Sequence, residues 1–311
     1  MSKVYISKIN SLAGADPKLL VSTAEQKYKN FTLEIATRVA ENKNIRIILL
    51  AGPSGSGKTT TANLLADSLR GMGIESFVLS LDNFYLDGTD ERYPRFENGE
   101  RDYESVDALD ISLLESVLAN IASGRDFSVP KYDFKVGKRV SETPYPKMPN
   151  GCVIIEGLHA LNPVVFENLP KEKILKIFIS VSTNVICDEN TTLSGRKIRF
   201  VRRMIRDSLY RGAEAERTVE MWGGVLAGED KYLYPFRGNA DIQFDTFHAF
   251  ELGVMSKYVK RLITDELAKS NEYAATVASA VGMAVPVDES LVPQDSLIRE
   301  FITGGIYEEF Y

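Results

Sequence analysis

Arg46-Ile47-Ile48-Leu49-Leu50-Ala51-Gly52-Pro53-Ser54-Gly55-Ser56-Gly57-Lys58-Thr59-Thr60-Thr61 decides how the rest of the chain is read. Ile47 to Leu50 form an unbroken apolar run, as expected of a short strand buried on both faces. Gly52-x-x-x-x-Gly57-Lys58-Thr59 follows, which is the spacing of a phosphate-binding loop. Ala62, Leu65 and Leu69 then recur at helical intervals. A polyphosphate needs many N–H donors converging on one point. Glycines at 52, 55 and 57 let the backbone wrap with its amides inward, where a Cβ would block the turn or the ligand. The helix beginning near Lys58 brings its positive end to the same spot. Lys58 can reach the β- and γ-phosphates, and the Thr59 hydroxyl suits Mg²⁺. Gly52, Ser54, Gly55, Ser56, Gly57, Lys58, Thr59 and Thr60 are therefore the candidate set for a nucleoside triphosphate.

Working outward, the 311 residues are 44% hydrophobic and 26% charged, enough for a large α/β core with appendages. A net charge of −6 argues against nucleic acid as the main partner. The two cysteines, Cys152 and Cys187, suggest no disulfide framework, and a reducing cytoplasm is the simplest expectation. The two histidines, His159 and His248, offer no zinc cluster. No stretch approaches a membrane span, and no signal-peptide core is visible at the N-terminus.

Along the chain, residues 1–22 carry weak signals, and 23–43 read as an amphipathic helix through Phe31, Ile35 and Val39. Ser76 to Leu81 reads as a second strand ending at Asp82, and ligands in open parallel sheets sit at such strand ends. A carboxylate there can accept a hydroxyl proton, hold Mg²⁺, or simply cap a turn. Residues 86–106 form a long polar loop, and Asp110 to Ala122 a helix. Residues 127–149 predict a β-hairpin turning at Gly137. Its Tyr132 and Phe134 share one face, placed either to stack on a flat ligand or to pack locally. Cys152 to Glu156 is a third buried strand ending in an acid, the expected metal-linked partner of the loop. Ile174 to Val181 and Asn239 to Phe244 complete five strands. Between them, residues 196–211 concentrate arginine. Arg199, Arg203 and Arg206 share one helical face, either to close over a triphosphate or as a solvated surface. Residues 267–285 are small and apolar. The tail to Tyr311 packs on the body or at a contact between subunits of a homo-oligomer.

Seven short segments occur in one order: GPSGSGKTT (52–60), LSLDNFY (79–85), DYESVDALD (102–110), PKYDF (130–134), VIIEGLHAL (153–161), RRMIRDSLYRG (202–212) and Asn239-Ala240-Asp241. Over about residues 46–245 the chain thereby resembles the uridine kinase and phosphoribulokinase family. The resemblance implies a P-loop kinase fold: an α/β chain with a five-stranded parallel sheet flanked by helices, a hairpin arm and a mobile arginine lid at about 190–225. The kinase domain would run over 46–265, with an N-terminal extension at 1–45 and a C-terminal one at 266–311. It implies ATP and Mg²⁺ as cofactors. Catalysis would fall to Asp82, which orients the attacking hydroxyl, with Lys58, Arg203 and Arg206. Arg211 would join the nucleotide site, Thr59, Asp82 and Glu156 the metal, and Tyr85, Glu104, Tyr132, Phe134 and Arg203 the acceptor.

The implied activity is ATP-dependent phosphorylation of an alcohol, foremost the 5′-hydroxyl of uridine or cytidine. Three positions depart from the family's substrate contacts: Gly137 stands for a base-contacting histidine, Ala213 for a lid arginine and Met221 for a glutamine. Glu104 stands where an Asp is usual. A sugar phosphate, an inositol or a pantothenate-like alcohol is the alternative acceptor. A P-loop ATPase or switch is the remaining class, although the Asn-Lys-x-Asp and Asp-x-x-Gly signatures of a GTPase do not occur.

Overall fold

The computed structural model describes residues 2–95, 97, 99, 101–133, 136–148 and 150–310. In chain order its strands are β1 (Lys3–Tyr5), β2 (Ile47–Ala51), β3 (Ser76–Ser80), β4 (Phe127–Asp133), β5 (Lys138–Tyr145), β6 (Cys152–Glu156), β7 (Ile174–Ser180), β8 (Asn184–Ile186), β9 (Thr192–Leu193) and β10 (Ile242–Asp245). Its helices are α1 (Ile6–Ala15), α2 (Pro17–Glu41), α3 (Lys58–Gly71), α4 (Ile111–Ala122), α5 (Pro163–Phe166), α6 (Gly195–Arg211), α7 (Ala215–Tyr232), α8 (Glu251–Leu262), α9 (Asp265–Ser270) and α10 (Glu272–Gly282).

Five strands form one sheet in the order β10-β7-β2-β6-β3, every pairing parallel. The strand that opens the phosphate loop lies in the middle. All five residues of β2 are fully buried, because helices cover both faces. The two-residue period of a strand divides them cleanly. Ile47 and Leu49 face one apolar layer with Leu79, Val153, Ile155 and Phe178. Ile48 and Leu50 face the other, with Ile35, Val39, Leu65, Leu69 and Ile154. The chain leaves β2 through α3, crosses to the edge strand β3 and returns to β6 between them, so the ends of β2, β3 and β6 open onto one crevice.

The hairpin stands apart as an antiparallel pair, β4 with β5, whose turn contains Gly137. Phe127, Phe77 and Tyr145 stack at its root. Its tip is tied to the loop after β3: Gly88 N donates to Gly137 O at 2.7 Å, and Arg139 N to Asp87 Oδ1 at 2.9 Å.

The N-terminal stretch holds more structure than its weak sequence signals suggest. β1 pairs parallel with β8, and α1 buries Ile6, Ile9 and Ala13. These side chains join a third apolar cluster with Ile198, Phe200, Val201, Met204 and Ile205 of α6, with Val254 and Met255 of α8, and with Val277 and Val281 of α10. The strand is only three residues long and draws its stability from β8, a partner about 180 positions away, which no local pattern reveals.

The last stretch also enters that cluster. Residues 296–302 form a strap in which Leu297, Ile298, Phe301 and Ile302 are fully buried. At roughly 1.5–3 kcal/mol for each buried apolar side chain, an upper bound on a compact unfolded reference, the strap is a structural component rather than a loose end. Arg299 knits it to itself, donating to the carbonyls of Glu289, Val292 and Thr303. Tyr307 donates to Asp67 on α3.

Candidate active site

The loop between β2 and α3 has the backbone that its glycines foretell. Gly55 and Gly57 take φ of +73° and +88°, the left-handed region that side chains disfavour. A Cβ on Gly57 would also run into Leu297 of the strap. Lys58 folds back to Pro53 O at 3.3 Å. Thr61 Oγ1 donates to Gly57 O at 2.6 Å and shares a 2.6 Å hydrogen bond with the buried Tyr28 of α2, so the first turn of α3 is braced from behind.

Two buried arginines hold this loop. Arg199 makes a two-pronged ion pair with Glu229 of α7, at 2.7 and 2.8 Å. The same pair grips Ser54 from both sides: Arg199 donates to its carbonyl at 2.8 Å, and its amide donates to Glu229 at 2.9 Å. Arg202 pairs with Glu251 of α8 at 2.7 and 3.0 Å and donates to Gly55 O at 3.2 Å. Thr246, just after β10, donates to Ser56 O at 2.9 Å. Arg199 thus corrects the expectation that it shares an open basic face with Arg203 and Arg206. Helical spacing alone cannot show that Glu229 and Ser54 enclose it.

The remaining arginines gather on Asp207. Arg203 Nε lies 3.2 Å from it, Arg206 2.9 Å and Arg211 3.3 Å. Arg203 also donates to Ser54 Oγ at 2.9 Å, so it spans from α6 to the loop. Burial draws its guanidinium below the ordinary value, with Asp207 opposing.

The acids arrive from neighbouring strands. Ser80 and Glu156 are paired residues of β3 and β6, and Asp82 is the second residue of the short 3₁₀ turn Leu81–Phe84 that follows. Glu156 is buried, and burial is the main cause that raises its pKa; Asp82 and Glu300 add to the rise, while Lys58 and the Ser80 hydroxyl oppose it. Asp82 is solvent-accessible on the wall of an open cleft, yet the protein surrounding that cleft raises its pKa, against Lys58 and Arg211. The cleft encloses about 530 Å³ and is bordered by Thr59, Ser80, Asp82, Glu156, Arg206 and Arg211. A smaller cavity of about 310 Å³ beside Val39, Ile45 and Ile74 lies away from every acid and arginine discussed here. Two carboxylates on one cleft beside a threonine hydroxyl, with Asp82 raising the proton affinity of Glu156, fit a divalent cation. Among the described residues no three His, Cys, Asp or Glu side chains surround one position. Mg²⁺ asks for less, since it keeps waters and takes one or two carboxylates plus phosphate oxygens.

The candidate acceptor residues lie around the loop after β3. Tyr85 OH donates to Tyr103 O at 2.9 Å, and its ring is tilted against Tyr132 at 5.7 Å. Tyr132 N donates to Asn83 Oδ1 at 3.3 Å, which fixes the hairpin against the turn that carries Asp82. Glu104 faces Arg203, and its side chain approaches Gly228 of α7 so closely that a Cβ there would meet it at 3.0 Å. Phe134 lies outside the described residues. His159 is buried, and burial lowers its pKa to about 4.

Three participants escaped the sequence reading: Glu229, Glu251 and Glu300. Glu300 Oε2 accepts from both the amide and the hydroxyl of Thr60, at 3.1 and 2.9 Å. It also borders the cleft. Each is an isolated glutamate far along the chain from its partner, and no local motif marks it.

A parallel sheet whose central strand feeds a Gly-Lys-Thr loop, with Glu156 at the end of the adjoining β6 and Asp82 just past β3, has the architecture of the P-loop kinases. The chain belongs to the phosphoribulokinase/uridine kinase family, whose model matches residues 47–252. Similar proteins include a uridine kinase of Schizosaccharomyces pombe, 33% identical over 193 residues, covering 62% of this chain and 37% of that one. A uridine kinase of Deinococcus deserti is 31% identical over 176 residues, 57% of this chain and 75% of its own. One from Borrelia duttonii is 29% identical over 224 residues, 71% of this chain and 97% of its own. The match therefore spans little more than a third of the S. pombe protein. No helix among the described residues is long and apolar enough to cross a membrane.

Proposed function

We propose that this P-loop kinase transfers the γ-phosphoryl group of ATP to the hydroxyl of a small molecule, with the 5′-hydroxyl of uridine or cytidine as the first acceptor to test. The carrying observation is that Thr59 of the loop, Asp82 and Glu156 border one cleft, with the neighbouring Lys58 acting electrostatically on both acids. The loop amides and Lys58 bind the phosphates, Arg203 and Arg206 turn from Asp207 to the transferring group, and Asp82 accepts the proton of the attacking hydroxyl. Thr59, Asp82 and Glu156 would hold Mg²⁺, which supplies charge neutralisation between phosphate oxygens. The pyrimidine acceptor is favoured by relatives named uridine kinases.

A second acceptor class is kept by one observation. The hairpin turn carries Gly137, which has no side chain to offer a base. The test is ADP release with ATP against a panel of nucleosides and polyols. Release stimulated by uridine or cytidine supports the nucleoside reading. Release stimulated by a polyol alone replaces it, and release indifferent to every acceptor means an ATPase.

A further inference from the structure

The strap does more than close the apolar cluster. Its Glu300 takes both donors of Thr60. Thr60 follows the Gly-Lys-Thr of the loop, and its amide lies in the first turn of α3, where the helix itself supplies no carbonyl for it. In a phosphate-binding loop the amides at this place cradle the α- and β-phosphates. The carboxylate is buried, stands at the positive end of the helix and borders the same cleft as Thr59, Asp82 and Glu156. Beside it, Leu297 occupies the space next to Gly57. The seat that a nucleotide phosphate would take is thus held by a side chain of the chain itself, 240 positions away.

We propose that Glu300 is a built-in rival of the nucleotide: its carboxylate stands in for an α-phosphate oxygen at Thr60 and must leave that seat before ATP is bound. The proposal rests on the reading that the loop takes a nucleoside triphosphate. The four buried apolar side chains of the strap keep it in place, so the movement falls to Glu300, the last residue of the 3₁₀ turn Leu297–Glu300. A carboxylate left beside an incoming phosphate would repel it. In the resting chain the same charge adds to the crowding of negative groups that raises Glu156.

Calorimetric titration of MgATP into the full chain tests this, comparing the unaltered protein with Glu300→Gln, Glu300→Asp and Lys58→Ala. Removing the charge keeps the shape, and hydrogen bonds to charged groups are the stronger kind, so Glu300→Gln is expected to bind MgATP about tenfold tighter. Glu300→Asp, one methylene short of Thr60, is expected to move the same way by less. Equal or weaker binding by Glu300→Gln, with binding lost only in Lys58→Ala, overturns the rivalry and leaves the nucleotide site standing. No binding by any of the four overturns both.

Discussion

Asp82 carries two demands that pull against each other. To receive a proton it must be ionised, and to hold that proton during transfer its affinity must not be too low. The protein around the cleft raises its pKa, while Lys58 and Arg211 lower it, and the balance lies above the ordinary 3.8. As pH falls through that raised value the accepting form is lost, so the acid limb of kcat/KM should lie above the ordinary aspartate range. Asp82→Asn keeps the shape and removes the acceptor. We expect turnover with the acceptor to fall by about 10²–10⁴-fold while MgATP affinity changes little. Single-turnover phosphoryl transfer beside a binding titration measures both, and full activity in this variant would remove Asp82 from the chemistry. At this scale the sequence was informative where a residue sits inside a motif. Lys58, Thr59, Asp82 and Glu156 were legible because strand ends and loop spacing place them. Glu300 was not, because its partner at Thr60 is brought to it only by the whole fold.

Helix α6 divides its arginines between two tasks, with α7 supplying a partner for the first. Arg199 and Arg202 anchor α6 to the loop through buried glutamates, whereas Arg203, Arg206 and Arg211 converge on Asp207. Glu229→Gln leaves Arg199 charged and buried without its counter-charge, a change that costs about 3–5 kcal/mol when a buried pair is broken. Denaturant unfolding should report a loss of that order, and MgATP affinity should fall because Ser54 exchanges a charged acceptor for a neutral amide oxygen and Arg199 loses its two-pronged hold. The double change Arg199→Met with Glu229→Leu should recover much of the stability and little of the affinity. Recovery of both would reduce the pair to a packing device. Five strands and a hairpin were foreseen from alternation and buried runs. The division of one basic helix into arginines that anchor the loop through buried glutamates and arginines gathered on Asp207 was not, since periodicity fixes a face but not what covers it.

Across the whole molecule the two ends of the chain meet behind the phosphate loop. Glu25 of α2 accepts from Ser296 of the strap at 2.5 Å, with His248 Nε2 4.0 Å away. Burial pushes the Glu25 carboxyl up to about 7 from its ordinary 4.5. Between those values the folded chain keeps a proton that the unfolded chain releases. Its contribution to stability is therefore full below pH 4.5 and is lost as pH rises through 7. His248, lowered to about 3 by burial, runs the other way, its contribution fading as pH falls from 6.5. Comparison with Glu25→Gln isolates the first group: the variant should match the parent near pH 4 and exceed it near pH 8 by on the order of 2–3 kcal/mol. Equal stability at both pH values would show that Glu25 is ionised in the folded chain.

The grouping around Asp207 has a consequence for what the protein ignores. Three guanidinium groups share the single charge of one internal carboxylate, so a lone sulfate, chloride or inorganic phosphate must compete with that fixed partner for each of them. A molecule carrying several linked phosphates engages them together with the loop amides, and only such a cargo repays their release. Single small ions are therefore expected to hold the cleft less well than a linked polyphosphate, in a chain whose net charge is −6.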